Sequence, residues 1–569
     1  MCKNLNLSQS EIIRFANIAL TPKFMVFQLN GGFMKRFLKF LLSFVLVLLI
    51  AFLYYYIALP AANLHSPGFW FFMIGALVVL CILTAIAAYQ KDQNIRTFRE
   101  LLQNKLFSLI TGITVLLVLV FIGGSILSST MVNAKRYQQL LTITDRNFTE
   151  DIKEISYQDI PILDADSAAL LGSRKMGSII EFVSQYEVGT RYTQINYQGI
   201  PVRVAPLQYG SFFKWLTNRA KGIPAYMKID MASQEVELIK LEQGMKYSES
   251  ERFGRNIHRY LRFHFPTYIF ENIHFEINDE GTPYWICPVK DYTIGLFGGQ
   301  TIGRCVTVNA VTGELKDYAV EEVPTWIDRV YSADLLISLY DYHGTLRHGY
   351  WNSILGQRDA LQTTDGYNYL ALEDDVWVYT GVTSMGSDES NVGFVLMNQR
   401  TSETRYYSIS GAEEYSAMGS AEGKVQELGY RATFPLLLNI GNQPTYFLAL
   451  KDAAGLVKKY AMVNIEQYQI VAIGDTVNDC EKTYLNLMKS SGIGIADTNT
   501  LPKITGVIKK IAEAVVDGNS HYYLLLGSSP EIFDVNVADF IEIIKYNAGD
   551  TITFIYTNGS SANIVVDIE

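Results

Sequence analysis

The sequence is poor in residues that staple, coordinate or cradle. Five cysteines occur in 569 residues and no two are spaced C-x-x-C, so neither a zinc knuckle nor a thioredoxin-type redox pair is encoded. No G-x-S-x-G, H-E-x-x-H or P-loop lysine motif occurs. The usual hydrolase elbow, zinc-protease helix and phosphate cradle are therefore missing. Positive charge is also short: 47 Lys and Arg face 57 Asp and Glu, for a net charge of −10. A nucleic-acid partner needs a basic footprint, so none is expected. No cofactor is implied either.

Three stretches lack charge altogether: Phe40–Leu59, Phe69–Tyr89 and Leu106–Leu127. Each is about 20 residues, enough helix to cross roughly 30 Å of hydrocarbon. In lipid they must be helical, since only a helix satisfies its own backbone. With no charge inside them, a proton relay or ion path has no candidate. The sequence thus predicts a three-helix anchor over residues 34–130 with the lipid bilayer as partner. Met34-Lys35-Arg36 ahead of an apolar run reads as a second start, which makes 1–33 an N-terminal extension.

Orientation follows from Lys and Arg. Lys35, Arg36 and Lys39 precede the first run, and Lys91, Arg96, Arg99 and Lys105 lie between the second and third. The loop Pro60–Gly68 has none. The positive-inside rule places the basic segments in the cytoplasm and the remaining chain outside it, with Lys135 and Arg136 as a mild exception. The predicted location is the cell membrane, multi-pass, with a large extracytoplasmic C-terminal part.

Tyr (36) and Phe (30) are abundant in the chain, as they are in β-sheets with aromatic cross-strand pairs. The length suits roughly three to five domains. The fold class is α+β. Beyond the anchor a pattern recurs: an amphipathic helix, then antiparallel strands ending in a hairpin. The clearest copy is residues 246–322. Arg252–Phe265 has helical spacing at Phe253, Ile257, Tyr260 and Leu261 and stops at Pro266. Strands Phe270–Ile277 and Tyr284–Val289 come next, then the hairpin RCVTVNAVTGELKDY over Arg304–Tyr318. A copy over 131–245 reads as helix Met176–Tyr186 with strands Tyr192–Val204 and Ala225–Leu241. Another, over 420–490, has strands Arg431–Ile440, Thr445–Lys451 and Lys459–Val471, with a helix Thr483–Met488 and then a linker, Ser490–Thr500, after them. Their last hairpins align: KIDMASQEVELI, TVNAVTGELKDY and MVNIEQYQIVAI. Irregular spacing points to duplicated modules and not to a solenoid.

Between these copies, 323–419 reads as a connector of helix Ala333–Tyr342 and hairpin strands. The last segment, 501–569, has five short strands punctuated by Gly, Asn and Pro turns. That pattern suits a small OB- or SH3-like barrel.

A helix followed by antiparallel strands and a strand ending in V-N-A-V-T-G-E-L resembles the PepSY domain, a small cystatin-like α+β module. The resemblance covers about 70 residues in the best copy. It implies a membrane-anchored bacterial protein of Gram-positive type, facing outward, with a binding, peptidase-regulating or scaffolding role and no enzymatic chemistry.

Candidate site residues are few. Arg252, Arg255, Arg259 and Arg262 share one predicted helix and suit an anionic partner such as lipid head groups or wall polymer. Their guanidinium groups oppose a metal at neighbouring His258, His264 and His274. Asp341, His343 and His348 carry no catalytic spacing. Glu373, Asp374, Asp375, Asp388 and Glu389 lack the EF-hand order and read as surface turns. Cys287 and Cys305 lie on neighbouring strands and form a disulfide if registered opposite each other. The function this predicts is a non-catalytic membrane-anchored scaffold with a protein partner at the outer face. The alternatives are an accessory or sensor subunit of a larger membrane complex, or an envelope enzyme.

Overall fold

A computed structural model describes residues 45, 47–91, 97–154, 160–386, 390–491, 502–516, 519–537, 540–557 and 562–568. The 1–33 extension, the start of the first apolar run, Asp388, Glu389 and the linker at 492–500 lie outside them.

The three-span layout is corrected. Among the described residues two helices are long and apolar enough to cross a membrane: α1, Pro67–Lys91, with a candidate span over Pro67–Ile86, and α2, Lys105–Leu127. Within the first run, Phe40–Leu59, the apolar helix among the described residues is Val47–Ala58, shorter than a span. It ends because Leu59 turns to a φ of +50° before Pro60, a residue whose ring disfavours helix at the position ahead of it.

The chain forms two compact units: 1–60 with 71–117, and 61–70 with 118–569. In the first, Cys81 Sγ approaches the hydroxyls of Thr111 and Thr114 at 3.7 and 3.9 Å. The second, the body, includes the first turn of α1 and the last ten residues of α2.

The body repeats one topology four times: a helix, a first strand broken in two, then three strands in an antiparallel meander. In the first copy helix Ala165–Gly177 precedes Tyr186–Val188 and Thr193–Tyr197. Both pair with Ile200–Tyr209, which is followed by Ile223–Asp230 and Val236–Met245. In the second, helix Ile257–His264 precedes a bridge at Phe270 and strand His274–Ile277. Both pair with Pro283–Ile294, followed by Gly298–Asn309 and Leu315–Ala319. The expected connector is a third copy. Helix Ala333–Thr345 precedes Leu361–Thr363 and Asn368–Leu372, which pair with Asp375–Ser384, then Gly393–Asn398 and Thr404–Tyr407. Ile143–Asp145 adds a parallel edge strand to this sheet. In the fourth, helix Glu414–Lys424 precedes Arg431–Ala432 and Leu436–Ile440, then Gln443–Lys451, Val457–Asn464 and Val471–Gly474.

The final hairpin of the first three copies is closed by one device. Asp230, Asn309 and Asn398 each accept two backbone N–H bonds through Oδ1, from Ala232 and Ser233, Val311 and Thr312, and Arg400 and Thr401. The next hydroxyl, of Ser233, Thr312 or Thr401, accepts from Glu235, Glu314 or Glu403. The intervening residue is left-handed: Gln234 at φ +60°, Gly313 at +80°, Ser402 at +62°. The shared pattern is therefore D/N-x-x-S/T-x-E, an Asx turn followed by an ST turn. In the fourth copy Asn464 accepts from Gln467 only and the loop is one residue longer.

Three of the sequence readings shift in register. The expected helix Met176–Tyr186 lies earlier, because Asp164 caps Ala165–Gly177 by accepting from Ser167 N. The expected strand Tyr192–Val204 folds into two at Gln198-Gly199, both at positive φ. The expected helix Thr483–Met488 extends to Val477–Ser490, capped by Thr476.

Neighbouring copies share cores. One cluster joins copies one and two through Val204, Tyr226, Trp285 and Val306. Another joins copies two and three through Ile286, Ile302, Leu336 and Val395. The largest joins copies three and four through Trp377, Phe394, Tyr446 and Leu448. At the C-terminus five strands close into a barrel with a core of its own around Phe533 and Phe554.

Candidate functional site

The longest hairpin of the body, Pro283–Ile294 with Gly298–Asn309, carries an apolar tip. Gly295 and Gly299 supply the positive φ of its turn. Leu296 and Phe297 donate their backbone N–H groups to Ser128 Oγ at 2.8 and 3.1 Å. Ser128 Oγ in turn donates to Gly124 O at 2.6 Å. Leu296 fills the hollow at Gly124, where an added Cβ would lie 2.5 Å from its Cδ1. Phe297 packs on Phe121 at 5.1 Å and Trp70 at 6.3 Å between ring centres. Leu296 O accepts from His65 Nδ1 at 2.8 Å, and His65 stacks on Tyr292. Ala62 N donates to Pro266 O and Arg136 to Thr293 O. The hairpin tip is thus seated against the start of α1 and the end of α2. Aromatic rings at such helix ends suit a bilayer interface.

A second feature lies on the first two copies. Helix Phe212–Asn218 is capped by Ser211, which accepts from Lys214 N. Trp215 turns inward, and its Nε1 donates to Glu251 Oε2 at 2.8 Å. Tyr209 donates to Glu251 Oε1 at 2.9 Å. With Trp215 committed to the core, Phe212, Phe213 and Leu216 face out; Phe213 is 74% exposed. Phe253 joins them, 63% exposed, with its ring 6.0 Å from that of Trp215. Its φ of +51° is unusual for a bulky side chain. Backbone strain of this kind clusters at functional sites.

Cations surround these rings. Arg219 sits over the Trp215 ring at 5.4 Å. Arg255 donates to Arg219 O at 3.0 Å, and Arg259 to Phe253 O at 2.9 Å. Arg252 is exposed beside them. The structure therefore brings Arg252, Arg255 and Arg259 to an aromatic face, and places Arg262 elsewhere. Arg262 is buried and braces the end of its helix by donating to Phe265 O, Pro266 O and Tyr268 O. Its position one residue after Leu261, on the buried stripe, is the signal that separates it. Phe212 and Phe213 escape a sequence reading because F-F-K-W-L holds one core residue and three surface ones.

The Cys287–Cys305 bond, possible only with the two residues in register, is not formed: both thiols are free and buried. Cys287 stands opposite Val306 and Cys305 opposite Pro288. That offset of one residue sends the two side chains to opposite faces of the sheet. Cys287 enters the core shared with copy one, Cys305 the core shared with copy three. Burial pushes both thiols above their ordinary range.

The histidines do not converge. His258 pairs with Glu249 at 3.3 Å, His274 with Glu276 at 2.9 Å, and His264 meets Tyr260 O. His343 meets Gln138 O, and burial lowers its pKa. His348 pairs with Asp359. Asp341 accepts from Thr363 N, and burial raises its pKa. Glu373 and Asp375 pair with Arg405 and Arg400, and Asn196 donates to Asp374. Among the described residues no three His, Cys, Asp or Glu side chains are placed to hold a metal.

A buried acid pair escapes any motif. Glu276 accepts from the backbone N–H groups of Asp328 and Arg329. Asp328 Oδ2 accepts from Asn196 N at 2.7 Å. Burial first, then the charge of Glu276, pushes the Asp328 carboxyl well above the ordinary carboxylate range.

No family model matches this chain, and no curated protein sequence does. Among solved structures, an ACO/RPE65 chimera aligns at 8% identity over 68% of this chain and 66% of its own, with a TM-score of 0.14. A B. megaterium levansucrase mutant aligns at 10% identity over 73% and 98%, with a TM-score of 0.17. Scores this low carry no argument about fold or function.

Proposed function

We propose that the chain is a membrane-tethered, non-catalytic scaffold whose body stands on the extracytoplasmic side and binds an acidic protein partner there. The observation that carries this reading is the aromatic–basic face of Phe212, Phe213, Leu216 and Phe253 among arginines. Exposed aromatic rings beside Arg are the composition of binding hot spots, and cations on a chain of net charge −10 favour an acidic partner.

Sidedness rests on Lys91, Arg96, Arg99 and Lys105, which fill the segment between α1 and α2. The positive-inside rule retains that segment in the cytoplasm. The residues that join the body, 61–70 and 118–127, include the other ends of the two helices. Arg136, on the body side, is engaged by Thr293 O. The PepSY-like reading of the repeated hairpin, V-N-A-V-T-G-E-L, points to the same role of binding or regulation.

The test is a photo-crosslinking residue at Phe213 in intact cells, with and without R255E. The reading expects an adduct with an extracytoplasmic acidic protein that charge reversal abolishes. Adducts formed only from a position in α1 such as Val78, and none from Phe213, would instead favour an accessory subunit recognised through its helices.

A further inference from the structure

Arg203 is a buried cation with no direct ion-pair partner among the described residues, and Asp164 and Asp166 act on it only at longer range. It lies mid-strand in Ile200–Tyr209 and is 6% exposed. Its Nε donates to Leu163 O and its Nη2 to Gln194 Oε1, both at 3.3 Å. No carboxylate of a described residue forms an ion pair with it. The amide Nε2 of Gln194, the side chain that accepts from Arg203, is itself buried without an acceptor. A guanidinium carries five N–H donors, and with two neutral acceptors engaged Arg203 keeps donors for a further anionic group.

Arg203 lines a cleft of about 450 Å³ where copies one, three and four meet. Tyr369 and Phe434 contribute aromatic wall, and the Asp164–Lys451 ion pair and Asp166 stand at its edge. Asn368 Nδ2 donates to Phe434 O and Pro435 O, which ties copy three to copy four beside the cleft. The chemistry of the lining is mixed. A guanidinium fork matches a carboxylate. Lys451 is held by Asp164 and Arg431 by Glu422, which leaves Asp166 as the lining carboxylate available to an ammonium. The rings take an apolar or aromatic group.

We infer that this cleft binds a small amino-carboxylate with an apolar side chain, a free amino acid or dipeptide, its carboxylate on Arg203 and its ammonium towards Asp166. The assignment stands apart from the aromatic–basic face and from the membrane sidedness. A ligand here contacts three of the four repeated units and holds them together.

The test is calorimetry on the full chain in detergent with three probes: L-phenylalanine, 3-phenylpropanoate, which lacks the amine, and phenethylamine, which lacks the carboxylate. Saturable binding of phenylalanine is expected, weaker binding of 3-phenylpropanoate, and none of phenethylamine. R203M is expected to weaken phenylalanine at least tenfold while remaining folded. D166N, at an exposed position, is expected to weaken phenylalanine and leave 3-phenylpropanoate unchanged. Absence of saturable binding by all three probes overturns the inference, as does equal phenylalanine affinity in R203M. Should R203M fail to fold, D166N decides: an unchanged preference for phenylalanine over 3-phenylpropanoate overturns it.

Discussion

The backbone N–H of Leu296 donates to the hydroxyl of Ser128 at 2.8 Å across 168 residues of sequence. The same oxygen accepts from Phe297. One serine at the end of α2 thereby holds the tip of the longest hairpin. S128A removes the acceptor for two donors at once. It is expected to cost about 1–3 kcal/mol, read as a lower midpoint of thermal unfolding in detergent and faster proteolysis at the 294–298 turn. An unchanged midpoint would show that Leu296 on Gly124 suffices to seat the tip.

The repeated turn makes a prediction with two signs. N398A deletes two N–H acceptor bonds at a buried position and is expected to destabilise by about 1–3 kcal/mol. Q234G relieves a left-handed residue that is not glycine. It is expected to be neutral or stabilising by up to about 1 kcal/mol. Chemical denaturation of the two variants checks both; destabilisation by Q234G would contradict the strain assigned to that turn.

Cys287 and Cys305 should resist alkylation by iodoacetamide in the folded chain, since burial holds both thiols protonated. After unfolding, both should alkylate without prior reduction. Mass spectrometry reads the adducts, and any dependence on a reductant would contradict the free thiols.

Asp328 sets a pH dependence. Its folded carboxyl is pushed up by burial and by Glu276, with Asp375 and Asp374 adding to the effect. The folded chain therefore binds more protons than the unfolded one between the ordinary aspartate value and the raised one, and stability falls as pH rises through that window. D328N keeps an oxygen for Asn196 N and carries no charge. It is expected to melt above the wild type at neutral pH, with the gap closing below the ordinary aspartate range. A gap independent of pH would remove Asp328 as its cause.

The legible parts of this chain are those that local chemistry dictates. Helix Ala333–Thr345 is announced by its Ser332 cap, and the hairpin after Asn309 by Thr312-Gly313. The barrel strands are marked by their turns. The third repeat is hidden because Ser402 occupies the left-handed position where Gly313 stands in the second, so M-N-Q-R-T-S-E does not look like V-N-A-V-T-G-E until the Asx bonds of Asn398 are seen. The cysteine pairing fails on a register of one residue, which neighbouring strands alone do not reveal. The first apolar run has the composition of a span, but its described helix stops after Val47–Ala58. In the candidate face, the arginines are legible as a row. Which of them turn inward depends on the packing of Ile257 and Leu261, and the rings at Phe212, Phe213 and Phe253 become a surface only when Trp215 is claimed by Glu251.

The proposed role depends on the side of the bilayer on which the body lies. Single cysteines at Glu280, in an exposed turn of the body, and at Gln103, between α1 and α2, separate the cases when intact cells are treated with a membrane-impermeant maleimide. E280C labelled in intact cells, with Q103C labelled only after lysis, is the predicted result. The reverse pattern would put the body in the cytoplasm and contradict the account.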